Sequence, residues 1–438
     1  LVFVSVVGQI RIVFQAKPWQ DKRLYRLGWL FAFKLMLVTL VLAWGWFPQL
    51  DPRAESFGVD QHIYNLGATN WVESGFSFEA IQEVSRAQGG IIIYYGLMYA
   101  IFGTNPVVAA FINSLTTLFC MLLLIDISKR MQLIPQHRAW WIGFGMLIPE
   151  IVWFDFITGK EAIVEFAFVL GLYSYFNLYG PWRRGPRLGW FITLGFAAFT
   201  LIAIRPPVLL GLGASLGLIS FWAGRGRLVL TKAQVFLVAL IVSFVLVTPI
   251  VVERSGGYQG FRYTRFFERM LKSPEEIHYN APAANSISAR FQPRSYTQLV
   301  WMVIPRFGLY VLSPYPNLNL EIEGMIEGEW ISWRRMASDL SIVPYLLFFP
   351  FLVLASWVAW RQTDFRKYAV WFIIPWWILM LMPAVASYGL HTRFRVPAMI
   401  FFIPCVLLGQ TVRQKPLLFG LWYGALGLIG VAYIILKF

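Results

Sequence analysis

Six carboxylates crowd into one polar stretch, DPRAESFGVDQHIYNLGATNWVESGFSFEAIQEVSRAQ over residues 51–88: Asp51, Glu55, Asp60, Glu73, Glu79 and Glu83. The stretch follows the first apolar segment long enough to cross a bilayer as a helix. Within it, Asp60-Gln61-His62-Ile63-Tyr64 sets a carboxylate at the start of a helix-like run that ends near Glu73. A carboxylate on a loop at a membrane face can work as a general base, taking the proton of a hydroxyl or amine as that group attacks. The plainer reading of Asp60 is an N-cap for the following helix. His62 is a second base candidate or a contact for an acceptor. Tyr64 and Arg86 complete the binding candidates on this loop.

The other candidates sit in short turns. In Thr158-Gly159-Lys160-Glu161-Ala162 an ammonium and a carboxylate stand together at the mouth of a helix pair. An exposed ion pair there is worth little, but ionisable groups in a membrane helical bundle are more often functional than decorative. Asp155 is an alternative carboxylate, and Glu150 and Glu165 lie deeper, where burial demands partners. Arg205 precedes Pro206 and Pro207, which lack amide protons and stop a helix. Its forked guanidinium suits a phosphate, or it snorkels to head groups. A final turn, His391-Thr392-Arg393-Phe394-Arg395-Val396-Pro397, offers two arginines and a histidine to a phosphate or diphosphate, or to lipid head groups. Four scattered histidines make no metal site. Cys120 and Cys405 lie inside apolar runs as buried filler.

The elements that hold these turns are oily. The chain is 58% hydrophobic and 13% charged, about half the charge of a soluble domain, with a mean hydropathy of +0.61. This composition predicts an all-α polytopic membrane protein. The strand alternation of an outer-membrane barrel is absent. Spans are expected at 27–49, 105–125, 139–157, 163–180, 188–204, 207–223, 232–252, 340–360, 368–388, 396–412 and 416–435, with 89–104 and 299–313 ambiguous. The net charge of +15 points to basic cytoplasmic loops and to the lipid bilayer as partner, with no nucleic acid.

The basic loops at Lys129/Arg130/Arg138, Arg183/Arg184/Arg187, Arg225/Arg227/Lys232, Arg361/Arg366/Lys367 and Arg413/Lys415 fall on one side only if both ambiguous stretches stay out of the membrane. That gives about 11 transmembrane helices. The 51–88 loop and the turns at 158–162, 205–207 and 391–395 then share the outer face.

The expected organisation is a cytoplasmic or interfacial segment over 1–26 and a core over 27–252 with its first outer loop at 51–104. An outer loop over 253–339 and C-terminal transmembrane helices over 340–438 follow. The 253–339 loop is proline-rich and includes a basic amphipathic helix, FRYTRFFERMLK, suited to an anionic lipid surface.

Taken in order, these motifs resemble the GT-C superfamily of integral-membrane glycosyltransferases, above all the lipid A aminoarabinose transferases and protein O-mannosyltransferases. The resemblance rests on Asp60-Gln61-His62-Ile63-Tyr64 followed by Ala68 and Ser74-Gly75. It continues through Gly89-Gly90, IIIYYGLMYAIFGTNP and the stop Phe102-Gly103-Thr104-Asn105. It includes the TGKEA turn, Arg205, and Arg393-Phe394-Arg395-Val396-Pro397. It covers most of 27–225 and the C-terminal spans loosely. Gln61 stands where the family carries a second acid, and Gln88-Gly89-Gly90 replaces its Pro-Pro turn.

The resemblance implies a GT-C-like bundle with juxtamembrane helices on the outer face. A polyprenyl-phosphate sugar donor would give its sugar to a glycolipid, polysaccharide or protein acceptor. Asp60 and Glu161 would be the catalytic residues, with Asp60 as base in an inverting displacement. His62, Tyr64, Arg86, Lys160, Arg205, His391, Arg393 and Arg395 would bind substrate. No cofactor is demanded; a divalent cation stays open, with no metal ligand assigned. The implied location is a bacterial inner membrane with the site facing the periplasm. Two other readings compete. A lipid-linked oligosaccharide polymerase or ligase would lean on loop arginines such as Arg290 and Arg294 and not on Asp60. A lipid flippase would carry inverted repeats and charged, broken helices at the midplane.

Overall fold

The computed structural model describes residues 24–43, 59–77, 79–81, 89–132, 134–156, 159–179, 185–223, 301–305, 307–308, 330–385, 395–412 and 416–437. Among these, 91% are helical and none is in a strand. The expected span at 232–252, the basic helix at 261–272, and Arg86, Arg290, Arg294, His391 and Arg393 lie outside the described residues.

The helices run in chain order α1 Leu24–Ala43, α2 Val59–Glu73, α3 Gly89–Phe102, α4 Pro106–Met131, α5 Gln136–Ala139, α6 Pro149–Phe156, α7 Glu161–Tyr179, α8 Arg187–Ile204 and α9 Pro206–Ala223. They resume with α10 Trp330–Arg361, α11 Thr363–Val385, α12 Val396–Met399, α13 Phe402–Gln410 and α14 Pro416–Lys437. Within them, Val107–Met131, Glu161–Tyr179, Arg187–Ile204, Leu340–Arg361 and Thr363–Met382 are long and apolar enough to cross a membrane. The all-helical, membrane-type architecture is therefore as expected. The 14 residues of α3 reach about 21 Å, short of the roughly 30 Å hydrocarbon layer.

Local chemistry sets the boundaries. Asn105 caps α4, its side chain accepting from the Val107 amide at 2.9 Å. Pro106 follows in the first turn, where its missing amide proton costs nothing. The helix ends at Gln132, in a left-handed conformation with φ of 56°. Between α8 and α9 the prolines act as stops: Arg205 turns out of helical geometry at φ −152° and ψ 75°, and α9 starts on Pro206.

Two expected spans are broken. The stretch 139–157 is a 3-10 segment, Trp140–Leu147, followed by α6. Pro149 disfavours the helical region for Ile148, which sits at ψ 122°. The stretch 396–412 is likewise split into α12 and α13.

The centre of the bundle is α7, buried along almost its whole length. It lies against α8, α4 and α9 and also touches α12 and α6. Aromatic contacts lock it in place: Tyr173 meets Trp190 edge-on at 5.5 Å, Phe176 meets Trp371 at 5.0 Å, and Phe168 meets Phe401 at 5.7 Å between ring centroids. On the outside, Trp29, Phe199, Val343, Leu347, Leu417, Leu421 and Leu428 stand exposed. This apolar surface suits lipid tails, which solvate it without the penalty that water imposes.

Candidate functional site

The candidate residues come together where α7 begins and α8 ends. Glu161 opens α7, in the first turn, where the helix dipole favours a carboxylate. Arg205 sits between α8 and α9, with Nη1 at 3.5 Å from Glu161 Oε1, and both residues are buried. This separation exceeds the about 2.7–2.9 Å of a tight charge-assisted hydrogen bond. Lys160 lies with its ammonium 5.8 Å from the ring centroid of Tyr64, a buried residue of α2. The structure thus joins the first polar loop, the TGKEA turn and the Arg-Pro-Pro turn.

Other members of the expected set stand as follows. Asp60 lies within the first turn of α2, not ahead of it as an N-cap would, and its side chain is outside the described residues. His62 is half-buried on α2. Arg395 departs from the expectation of an outer-turn cation. It is fully buried, donates to Glu150 Oε2 from Nη2 at 3.0 Å and from Nε at 3.4 Å, and lies over Tyr345 at 5.6 Å. Its position at the start of α12 brings it against Glu150 of α6, whose backbone amide donates to Ser341 Oγ at 2.8 Å.

The sequence reading missed Lys34. It is fully buried on α1 and forms an ion pair with Asp155 of α6, which also accepts from Thr117 Oγ1 of α4 at 2.9 Å. A signal was present: a lysine inside the apolar run LYRLGWLFAFKLMLVTLVLA needs a carboxylate partner. Asp155, read as an alternative base, is committed to this triad. Glu165, one turn along α7 from Glu161, is 1% exposed, and its Oε2 has no hydrogen-bond partner among the described residues.

At the opposite end of α7, Asp126, Arg130, Tyr173 and Asn177 form a second polar cluster. Arg130 donates to Asn177 Oδ1 at 2.9 Å and also to Asp126, and Tyr173 donates to Asp126 at 2.6 Å. Arg130, counted with the basic cytoplasmic loops, is therefore buried and tied into the bundle.

The fold and site together define an all-helical membrane-type bundle with paired charges buried near one end of its central helix. No family model, curated protein or solved structure matches the chain.

Proposed function

We propose that this chain is a GT-C-type membrane glycosyltransferase that moves a sugar from a polyprenyl-phosphate donor to a glycolipid, polysaccharide or protein acceptor. In this reading it crosses a bacterial inner membrane about 11 times and works on the periplasmic face. The observation that carries the reading is the meeting of Tyr64, Lys160, Glu161 and Arg205 from three segments distant in sequence. A buried arginine and a neighbouring lysine suit a phosphate whose charge grows during the reaction.

The step is a direct displacement. The acceptor oxygen attacks the anomeric carbon, and its proton passes to the Asp60 carboxylate. The bond from that carbon to the phosphate oxygen breaks, and the electron pair leaves with the polyprenyl phosphate. Attack opposite the leaving group inverts the anomeric centre. Arg205 and Lys160 draw the departing phosphate and offset its added charge. Glu161 neutralises Arg205 before the donor arrives, and the loose 3.5 Å pairing lets the guanidinium turn to the phosphate. Proton transfer falls to Asp60, and Glu161, held at Arg205, acts through it.

The test is transfer by purified protein in nanodiscs, with polyprenyl-phosphate sugars as donors and a membrane extract as acceptor. Wild type is expected to release polyprenyl phosphate, and Asp60→Asn to lose roughly 100-fold or more of that rate. Arg205→Gln should raise donor KM and lower kcat together. Equal turnover by Asp60→Asn would remove Asp60 as base. Turnover only with a diphosphate-linked oligosaccharide would replace this reading with the polymerase or ligase.

A further inference from the structure

Helix α3 touches every segment that supplies the candidate site, and it does so through groups the proposed reaction does not use. Tyr95 and Asn113 are both fully buried. The Tyr95 hydroxyl donates to the Gly159 carbonyl and accepts from Asn113 Nδ2 at 3.0 Å. The second proton of that amide goes to the Asp155 carbonyl at 3.3 Å. The result is a continuous chain of hydrogen bonds from the carbonyl of Asp155 to the carbonyl of Gly159. It links the last turn of α6 to the residue immediately before Lys160 and Glu161.

One turn further along α3, the Tyr99 hydroxyl donates to Asn65 Oδ1 at 2.7 Å, and Asn65 neighbours Tyr64 on α2. At its start, α3 lies so close to α8 that a Cβ on Gly90 would collide with the carbonyl of Ala203, two residues before Arg205. The same helix therefore holds the Tyr64 segment, the Lys160-Glu161 turn and the approach to Arg205.

We propose that Tyr95 and Asn113 are positioning residues, and that α3 is the bracket that sets Lys160 and Glu161 against Tyr64 and Arg205. The inference rests on the glycosyltransferase reading for its kinetic consequence, but not for its structural one. Buried hydrogen bonds of this kind restrict the carbonyls they bind, because breaking one leaves a polar group unsatisfied away from water. The two carbonyls belong to the last turn of α6 and to the residue just before Lys160, so the placement of Lys160 and Glu161 follows from where they are fixed. Small errors in such placement cost rate more than affinity.

Tyr95→Phe removes one hydroxyl and keeps the ring. In full-length protein in nanodiscs, amide hydrogen exchange over 159–166 is expected to speed up while exchange over α10 and α11 stays as in wild type. With a polyprenyl-phosphate sugar, kcat should fall about 10-fold with donor KM nearly unchanged. Tyr99→Phe should loosen α2 and leave 159–166 protected. If Tyr95→Phe destabilises the protein, Asn113→Leu serves as the second variant, because it removes the amide donors at the same place without burying a charge. Unchanged exchange over 159–166 in folded Tyr95→Phe overturns the bracket. So does faster exchange throughout the bundle with wild-type kcat per folded molecule, since the hydroxyl would then serve stability alone. If wild type transfers no sugar from any donor, the glycosyltransferase reading falls, and the exchange comparison still decides the bracket.

Discussion

Replacing Lys34 by methionine removes one half of an ion pair that water does not reach. The side chains of Lys34 and Asp155 are 0% and 2% exposed, so the pair belongs with buried salt bridges and not with surface pairs worth about 0–1 kcal/mol. After the substitution Asp155 keeps the Thr117 hydroxyl at 2.9 Å, one charge-assisted bond worth about 1.5–3 kcal/mol. A carboxylate left buried with that single donor should cost roughly 3–5 kcal/mol of stability.

Asp155→Leu leaves the ammonium stranded and should cost a similar amount. The double variant Lys34→Met/Asp155→Leu removes both charges and should lie close to wild type, within about 1–2 kcal/mol. The cycle therefore predicts a coupling of several kcal/mol, read as denaturation free energy in mixed micelles. Transfer activity adds a second reading: with Asp60 as the base, as proposed, the double variant should keep most of it. Single variants that each cost under about 1 kcal/mol and add without coupling would refute the pairing argument. A stable but inactive double variant would return Asp155 to the list of bases.

Two further outcomes concern other buried charges of the bundle. Arg395→Met should destabilise by roughly 3–5 kcal/mol because it strands Glu150, and the added change Glu150→Gln should recover part of that loss, measured by the same titration. Glu165→Gln should leave stability unchanged within about 1 kcal/mol or raise it, since a buried carboxylate without a hydrogen-bonding partner contributes nothing that an amide lacks; a loss as large as that of Lys34→Met would mean that a cation holds Glu165.

Much of the scaffold was legible from the chain. Apolar runs of membrane length predicted α4, α7, α8, α10 and α11, because helix length and hydropathy are local properties. The stop at Arg205-Pro206 was legible too, since missing amide protons act within a turn, whereas the Asn105 cap on α4 was not read. The break at Ile148-Pro149 was missed although Pro149 itself marked it, because the mostly apolar flanks WWIGFGML and EIVWFDF read as one continuous span. Of the site, the residue types were readable, and so was the nearness of Tyr64, Lys160, Glu161 and Arg205 at one end of the bundle. Partners were not: Glu161 faces Arg205, and Arg395 faces Glu150.

The residues alone determined that this is an oily, helical chain whose few ionisable groups must find partners or water. Each of those statements follows from composition and from interactions spanning a few residues. Only the tertiary structure decided which charges meet, because Lys34 and Asp155 are 121 residues apart and Glu150 and Arg395 are 245 apart. Pairing at such separations depends on how α1, α4, α6, α7 and α12 lie against one another. That arrangement is set by side-chain shape across many contacts at once, which no local pattern encodes.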